Sequence, residues 1–135
     1  MSERLQRILD EALDDEYKAR ASYAAIIKAF GPVKPFVNIV ESEGRHAAAL
    51  LQQYQRLGLK PPHNRWAAHD TKVPATLLEA CEAAVAAEIE NAEMYERLLA
   101  EADDPVLHDV LSNLRDSSQN RHLPAFKRCV ERYST

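Results

Sequence analysis

Glycine is scarce in this chain, with three in 135 residues. That argues against glycine-rich loops and for long helices, because a glycine inside a helix costs about 1 kcal/mol relative to alanine. The two cysteines, Cys81 and Cys129, are too few for a disulfide framework and lack the short spacing of a thiolate metal site. No apolar run approaches the roughly 20 residues of a membrane span, so no membrane association is expected. The segment Met1-Ser-Glu-Arg-Leu-Gln-Arg has no apolar h-region, and the expected location is the cytoplasm. No block of like charges accompanies the net charge of −4, so nucleic acid is not expected as a partner. What the chain does have is a 46% hydrophobic content, which excludes a disordered chain. Residues 1–135 read as one all-α domain.

Four segments show helical periodicity, over about 2–30, 34–57, 74–102 and 104–133. Ser2 is read as the N-cap of the first. The first segment's apolar stripe includes Leu5, Leu9, Ala12, Ala19, Tyr23 and Ile26, and it stops at Gly31-Pro32. The second carries Phe36, Ile39, Ala47, Leu50 and Tyr54 and closes at Gly58. Pro74 suits the first position of the third helix, and Asp104-Pro105 reads as an N-cap and N1 proline for the fourth. Pro124 lies inside the fourth and is expected to kink or locally break it. The first and third connections are short, so each joins a helical hairpin. The linker 59–73 can span roughly 50 Å when extended, whereas a helix of 24 residues is only about 36 Å long. It can therefore run the length of the bundle and leave the second and third helices parallel, giving a four-helix bundle of two hairpins and one long crossover, the ferritin-like arrangement.

A pattern occurs twice. Glu16 is followed seven residues later by Tyr23, then by Glu43-Gly-Arg-His46; Glu88 is followed seven residues later by Tyr95, then by Gln119-Asn-Arg-His122. Glu16, Glu43 with His46, Glu88 with Asn91 one turn on, and Ser118/Gln119 with His122 fall in gaps of the apolar stripes, so each helix aims one or two polar groups at the middle of the core. Buried carboxylates need cationic partners, and no Lys or Arg lies on the stripes at that level: Lys18, Arg20, Arg45, Arg115 and Arg121 are offset. Metal ions are the natural partner. A Glu–His pair at i, i+3 shares one helix face, so one carboxylate can span two ions while the histidine caps one. The candidate ligands are Glu16, Glu43, His46, Glu88 and His122. Oxygen donors mixed with imidazole suit iron or manganese, with zinc as a lesser candidate. Glu90 and Glu93 lie well around the helix from Glu88 and are placed outside the site.

The chain resembles the ferritin-like superfamily in its rubrerythrin-like and bacterioferritin-like branches, from about Leu5 to Arg132. The segments at 15–23, 30–39 and 121–128 resemble, more narrowly, a domain-of-unknown-function branch with no established activity. The superfamily resemblance implies a di-metal, in the first place di-iron, centre that reacts with O2 or peroxide. It implies Glu16 as the terminal carboxylate of the first helix, Glu43 as a bridge, Glu88 as the carboxylate of the third, and His46 and His122 as caps. The chain departs from the family at Gln119, where a Glu is usual, so the second ion is expected to bind more weakly, and a single-metal site stays open. The four-cysteine iron domain of rubrerythrins has no counterpart here, so electrons are expected from a separate donor. No fifth helix follows Tyr133; a dimer rather than a cage is expected. The alternatives are a non-catalytic metal store, a bundle built around one Zn or Fe, and a metal-free interaction module.

The other residues have plainer readings. Tyr23 and Tyr95 read as core tyrosines with the hydroxyl on a polar neighbour, or as hydrogen-bonding support for the site. Cys81 and Cys129, each seven residues from a ligand, read as buried packing thiols, with a redox disulfide as the alternative. His63 and His69, beside Asn64 and Asp70, read as solvated loop residues. His108 is placed at the surface, and Trp66 is expected to pack the crossover onto the bundle.

Overall fold

The computed structural model describes residues 2–134. The first helix, α1, spans Ser2–Phe30; the cap expected of the Ser2 side chain lies outside the described residues. α2 spans Phe36–Leu57. It starts two residues later than the periodicity suggests, because residues 34 and 35 form a turn and Pro35, without an N–H, sits at the cap position. Gly58 closes α2 with φ +70°, and Leu59 N–H donates to the Tyr54 carbonyl at 2.8 Å, a left-handed cap that glycine adopts without a Cβ penalty. α3 spans Leu77–Glu101, three residues later than the Pro74 start. Here Thr76 is the cap, its hydroxyl accepting from Glu79 N–H at 3.1 Å. α4 spans Pro105–Ser117 behind the expected Asp104 cap, whose carboxylate accepts from Leu107 N–H at 2.9 Å.

The fourth rod does not simply kink at Pro124. Residues Ser118–His122 form a π turn, and α5 restarts over Leu123–Tyr133. Leu123 N–H reaches back to the Ser118 carbonyl. Proline lacks the N–H that would continue an α ladder, and its ring crowds the carbonyl four residues earlier. A π turn takes up one extra residue and relieves both problems, and Pro124 becomes the second residue of α5.

Side-chain pairs fix the helix directions. Tyr54 with Asp10 and His46 with Glu16 pair in opposite chain order, so α1 and α2 are antiparallel. Arg97 with Glu11 and Tyr23 with Glu88 make α1 and α3 antiparallel. Arg115 with Glu96 and Ser118 with Glu88 do the same for α3 and the fourth rod. α2 and α3 therefore run parallel, joined by the crossover. Trp66 does pack it down: its indole N–H donates to Asp14 at 2.9 Å, and Arg65 forms two bonds to the same carboxylate at 2.8 and 2.9 Å. No described helix is long and apolar enough to cross a membrane.

The core is in two apolar halves with a polar layer between them. One half holds Ile8, Leu9, Leu13, Leu50, Leu98 and Leu111 among others. The other is built on Tyr23, Phe36 and Phe126, whose rings lie 5.0 to 5.7 Å apart, each such pair contributing about 1 kcal/mol beyond area burial. That second half also contains Cys81 and Cys129, and they are not packing thiols. They are joined in a disulfide linking α3 to α5, with Cα atoms 5.7 Å apart. Closing a loop of 48 residues stabilises the fold by about 4 kcal/mol in the chain-entropy description.

Candidate metal centre

The polar layer brings together all five residues singled out above. Glu16, Glu43 and His46 place one donor atom each within 4.8 Å of one another, and so do Glu43, Glu88 and His122. Glu43 belongs to both groups. One of its oxygens lies 3.1 Å from His122 Nδ1 and the other 3.9 Å from His46 Nδ1. Glu16 lies 3.2 Å from His46 Nδ1, and Glu88 3.3 Å from His122 Nδ1. The two imidazoles are stacked, with centroids 5.3 Å apart. All five side chains are buried. Among the described residues, no Lys or Arg makes an ion pair with the three glutamates.

The doubled tyrosine motif resolves into an exchange across the bundle. Tyr23 of α1 donates to Glu88 of α3 at 2.6 Å, while Tyr95 of α3 donates to Glu16 of α1 at 3.2 Å. Each helix supplies one carboxylate and the hydroxyl that orients the other's. Burial, with the neighbouring carboxylate charges, pushes both phenols well above their ordinary range, so they remain donors.

Ser42 and Asp15 escaped the sequence reading, and of the pair Ser118/Gln119 it is Ser118 that joins them. Ser42 Oγ lies 3.3 Å from His46 Nε2 and 3.0 Å from His122 Nε2, tying the two rings together from behind. Its signal was there, since Ser42 and His46 share a face of α2 at i, i+4. Asp15, next to Glu16, accepts from Asn91 at 2.6 Å; burial, against the Asn91 hydrogen bond and with the charge of Glu16, raises its pKa to about 6. Ser118 is buried and donates to Glu88 at 2.8 Å.

Ser118 occupies the place expected of Gln119, which is exposed. The π turn shifts the register by one residue, so the doubled sequence spacing does not become a doubled geometry. Asn91 likewise points its amide nitrogen at Asp15 and Glu16 and acts as a hydrogen-bond donor rather than a ligand. Glu90, Glu93 and His108 are exposed, as their helix positions implied, and so are loop residues His63 and His69.

The electrostatics are those of a site short of positive charge. Burial and the charge of Glu16 push the Glu43 carboxyl well above the usual carboxylate range. Burial also acts against ionised Glu16, but the hydrogen bond and charge of His46 outweigh it and leave Glu16 below its ordinary value. His122 Nδ1 is fully buried and makes no hydrogen bond, although two carboxylate oxygens lie at 3.1 and 3.3 Å. A buried ring nitrogen without a partner is costly. A cation between it, Glu43 and Glu88 would satisfy all three, so the residues present fit a metal.

No protein-family model matches the chain, and no curated protein matches it. A crystal structure of a hypothetical protein from Methanococcus jannaschii DSM 2661 is similar, with a TM-score of 0.86 over 96% of this chain and 81% of that one, at 21% identity. The likeness covers nearly the whole helical architecture and, at that identity, shows the fold alone.

Proposed function

We propose that this chain is a ferritin-like protein that holds two metal ions, in the first place iron, and uses them to oxidise Fe(II) or to reduce O2 or peroxide. The observation that carries the reading is Glu43, shared between two Glu–His groups inside the core. Glu16 and His46 would hold one ion, Glu88 and His122 the other, with Glu43 spanning both. An iron pair would supply the electrons that O2 or peroxide takes up. The chain's own part is positional and protonic. Tyr23 and Tyr95 fix the carboxylate orientations. Glu43, whose carboxyl burial pushes well above its ordinary range, must be ionised to hold the ions. The apolar halves above and below exclude bulk water. A small cleft between α1 and α3, lined by Asp15, Lys18, Glu88, Glu90 and Asn91 among others, brings a diatomic-sized reactant or an incoming cation to Glu88.

Anaerobic Fe(II) loading followed by metal analysis and O2 or peroxide uptake tests the reading. Two irons per chain and consumption of oxidant are expected; a protein that retains no iron would sink it. The second reading is a metal store without turnover. It is favoured by Ser118, a neutral group where a fourth carboxylate would balance two divalent ions. Iron that binds but consumes no oxidant would select it.

Two substitutions probe the details. For Nδ1 of both histidines to face the ions, both Nε2 atoms must carry the proton, and Ser42 Oγ must accept from both. Ser42→Ala is expected to weaken metal binding by about 10- to 100-fold with the helical content unchanged, and Ser42→Thr to restore it; titration calorimetry reads both. Gln119→Glu is expected to leave metal stoichiometry and affinity unchanged, because residue 119 faces solvent. A gain in affinity would mean that the π turn does not persist in solution.

A further inference from the structure

The disulfide lies close to the centre in the fold but plays no part in holding it. Cys81 precedes Glu88 by seven residues on α3, and Cys129 follows His122 by seven along the fourth rod. Each is thus about 10 Å along the axis from a ligand. The pair belongs to the same apolar cluster as Tyr23, and Tyr23 donates to Glu88 at 2.6 Å. Cys81 is 0% exposed and Cys129 1%. A sulfur pair so enclosed is shielded from bulk oxidants and reductants, while one tyrosine ring packs in its cluster and bonds to the metal-facing carboxylate.

We propose that Cys81 and Cys129 form an internal two-electron reserve for the centre, rather than only a staple between α3 and α5. This rests on the reading of the centre as one that reduces peroxide. The balance is closed. The two thiols give up two electrons and two protons and form one S–S bond. One peroxide takes up both electrons and both protons, its O–O bond breaks, and two waters leave. No further donor is needed for one turnover, and the disulfide is the spent state of the reserve.

The test uses the full chain, reduced with a phosphine in denaturant, refolded under anaerobic conditions, loaded with Fe(II) and given one equivalent of hydrogen peroxide. Thiols are counted by alkylation and mass spectrometry, and iron oxidation state is followed separately. The expected result is loss of both thiols and appearance of the Cys81–Cys129 peptide link, with iron returned to Fe(II). Iron-free protein should keep its thiols over the same period. A Cys81→Ser/Cys129→Ser chain, its fold checked by circular dichroism, should take up the same peroxide and stay Fe(III). Thiols that persist in iron-loaded wild type while peroxide is consumed would overturn the reserve and leave the centre standing. Thiols lost equally fast without iron would also overturn it. A chain that binds no iron would remove both readings together.

Discussion

Glu43→Gln is expected to abolish two-metal binding while leaving the metal-free bundle at least as stable as wild type. The two effects have one cause. Glu43 is the residue common to both Glu–His groups, and a neutral amide cannot replace a carboxylate shared by two cations. Loss of outer hydrogen bonds alone costs about 10- to 100-fold in metal affinity, so loss of this ligand should cost at least about 100-fold. In the metal-free protein burial and the charge of Glu16 raise this carboxyl well above its ordinary range, so its ionised form is disfavoured there. Glutamine matches the carboxyl in shape and carries no charge to desolvate, so it removes that penalty. Metal analysis and thermal unfolding with chelator check the two halves separately. A variant that lost stability and metal together would show that Glu43 serves the fold and not the ions.

The metal-free protein is expected to lose stability as pH rises from about 4 through 6, and metal to reverse that loss. Asp15 titrates near 3.8 when unfolded and at about 6 when folded. Between those values the folded state binds more protons than the unfolded state, so stability falls with rising pH, by about 3 kcal/mol in total. Glu43, also raised by burial and the charge of Glu16, acts in the same sense. Glu16 acts in the opposite sense: its lowered pKa adds stability above the unfolded value that is lost as pH falls. Metal binding requires ionised carboxylates, so it releases protons and strengthens with pH. At a free metal concentration near a thousand times Kd it adds about 4 kcal/mol, which for a chain of this size raises Tm on the order of 10 °C. Thermal melts at pH 4.5, 6 and 7.5, with and without Fe(II) or Zn(II), check the crossing. Metal-free stability that rose across this window would contradict the placement of Asp15 and Glu43.

Much of the site was legible in the sequence because helical periodicity sorts residues by face. Glu16, Glu43, His46, Glu88 and His122 interrupt apolar stripes, and a polar group on a core-facing stripe has few places to go but the centre. The same arithmetic kept Glu90 and Glu93 out. On the fourth rod it left both Ser118 and Gln119 in the gap of the stripe, and the repeat favoured Gln119, whereas Ser118 faces inward. Counting at a constant angle per residue assumes an unbroken α-helix. Pro124 announced a break, but whether the chain kinks or widens into a π turn depends on what the neighbouring helices will accept.

Contacts between helices were harder to read. The tyrosines were visible as a repeated motif, but their exchange of partners between α1 and α3 depends on helix axes and relative shift. The cysteines were adjacent on paper, yet a bond requires Cα atoms within about 7 Å and suitably aimed side chains, which only the packing of α3 against α5 provides. Ser42 needed two helices to bring His122 to the same hydroxyl as His46.

The all-α class, the approximate helix limits, the long crossover and the identities of the five converging groups are all legible from the chain before it folds. These follow from composition, stop signals and a periodicity that acts within one helix. The tertiary structure alone decided that Ser118 rather than Gln119 faces the site, that the cysteines are joined, and that the tyrosines cross. Each depends on ångström-scale distances between separate helices or on a local change of helical pitch, and neither is encoded by spacing along a single strand of sequence.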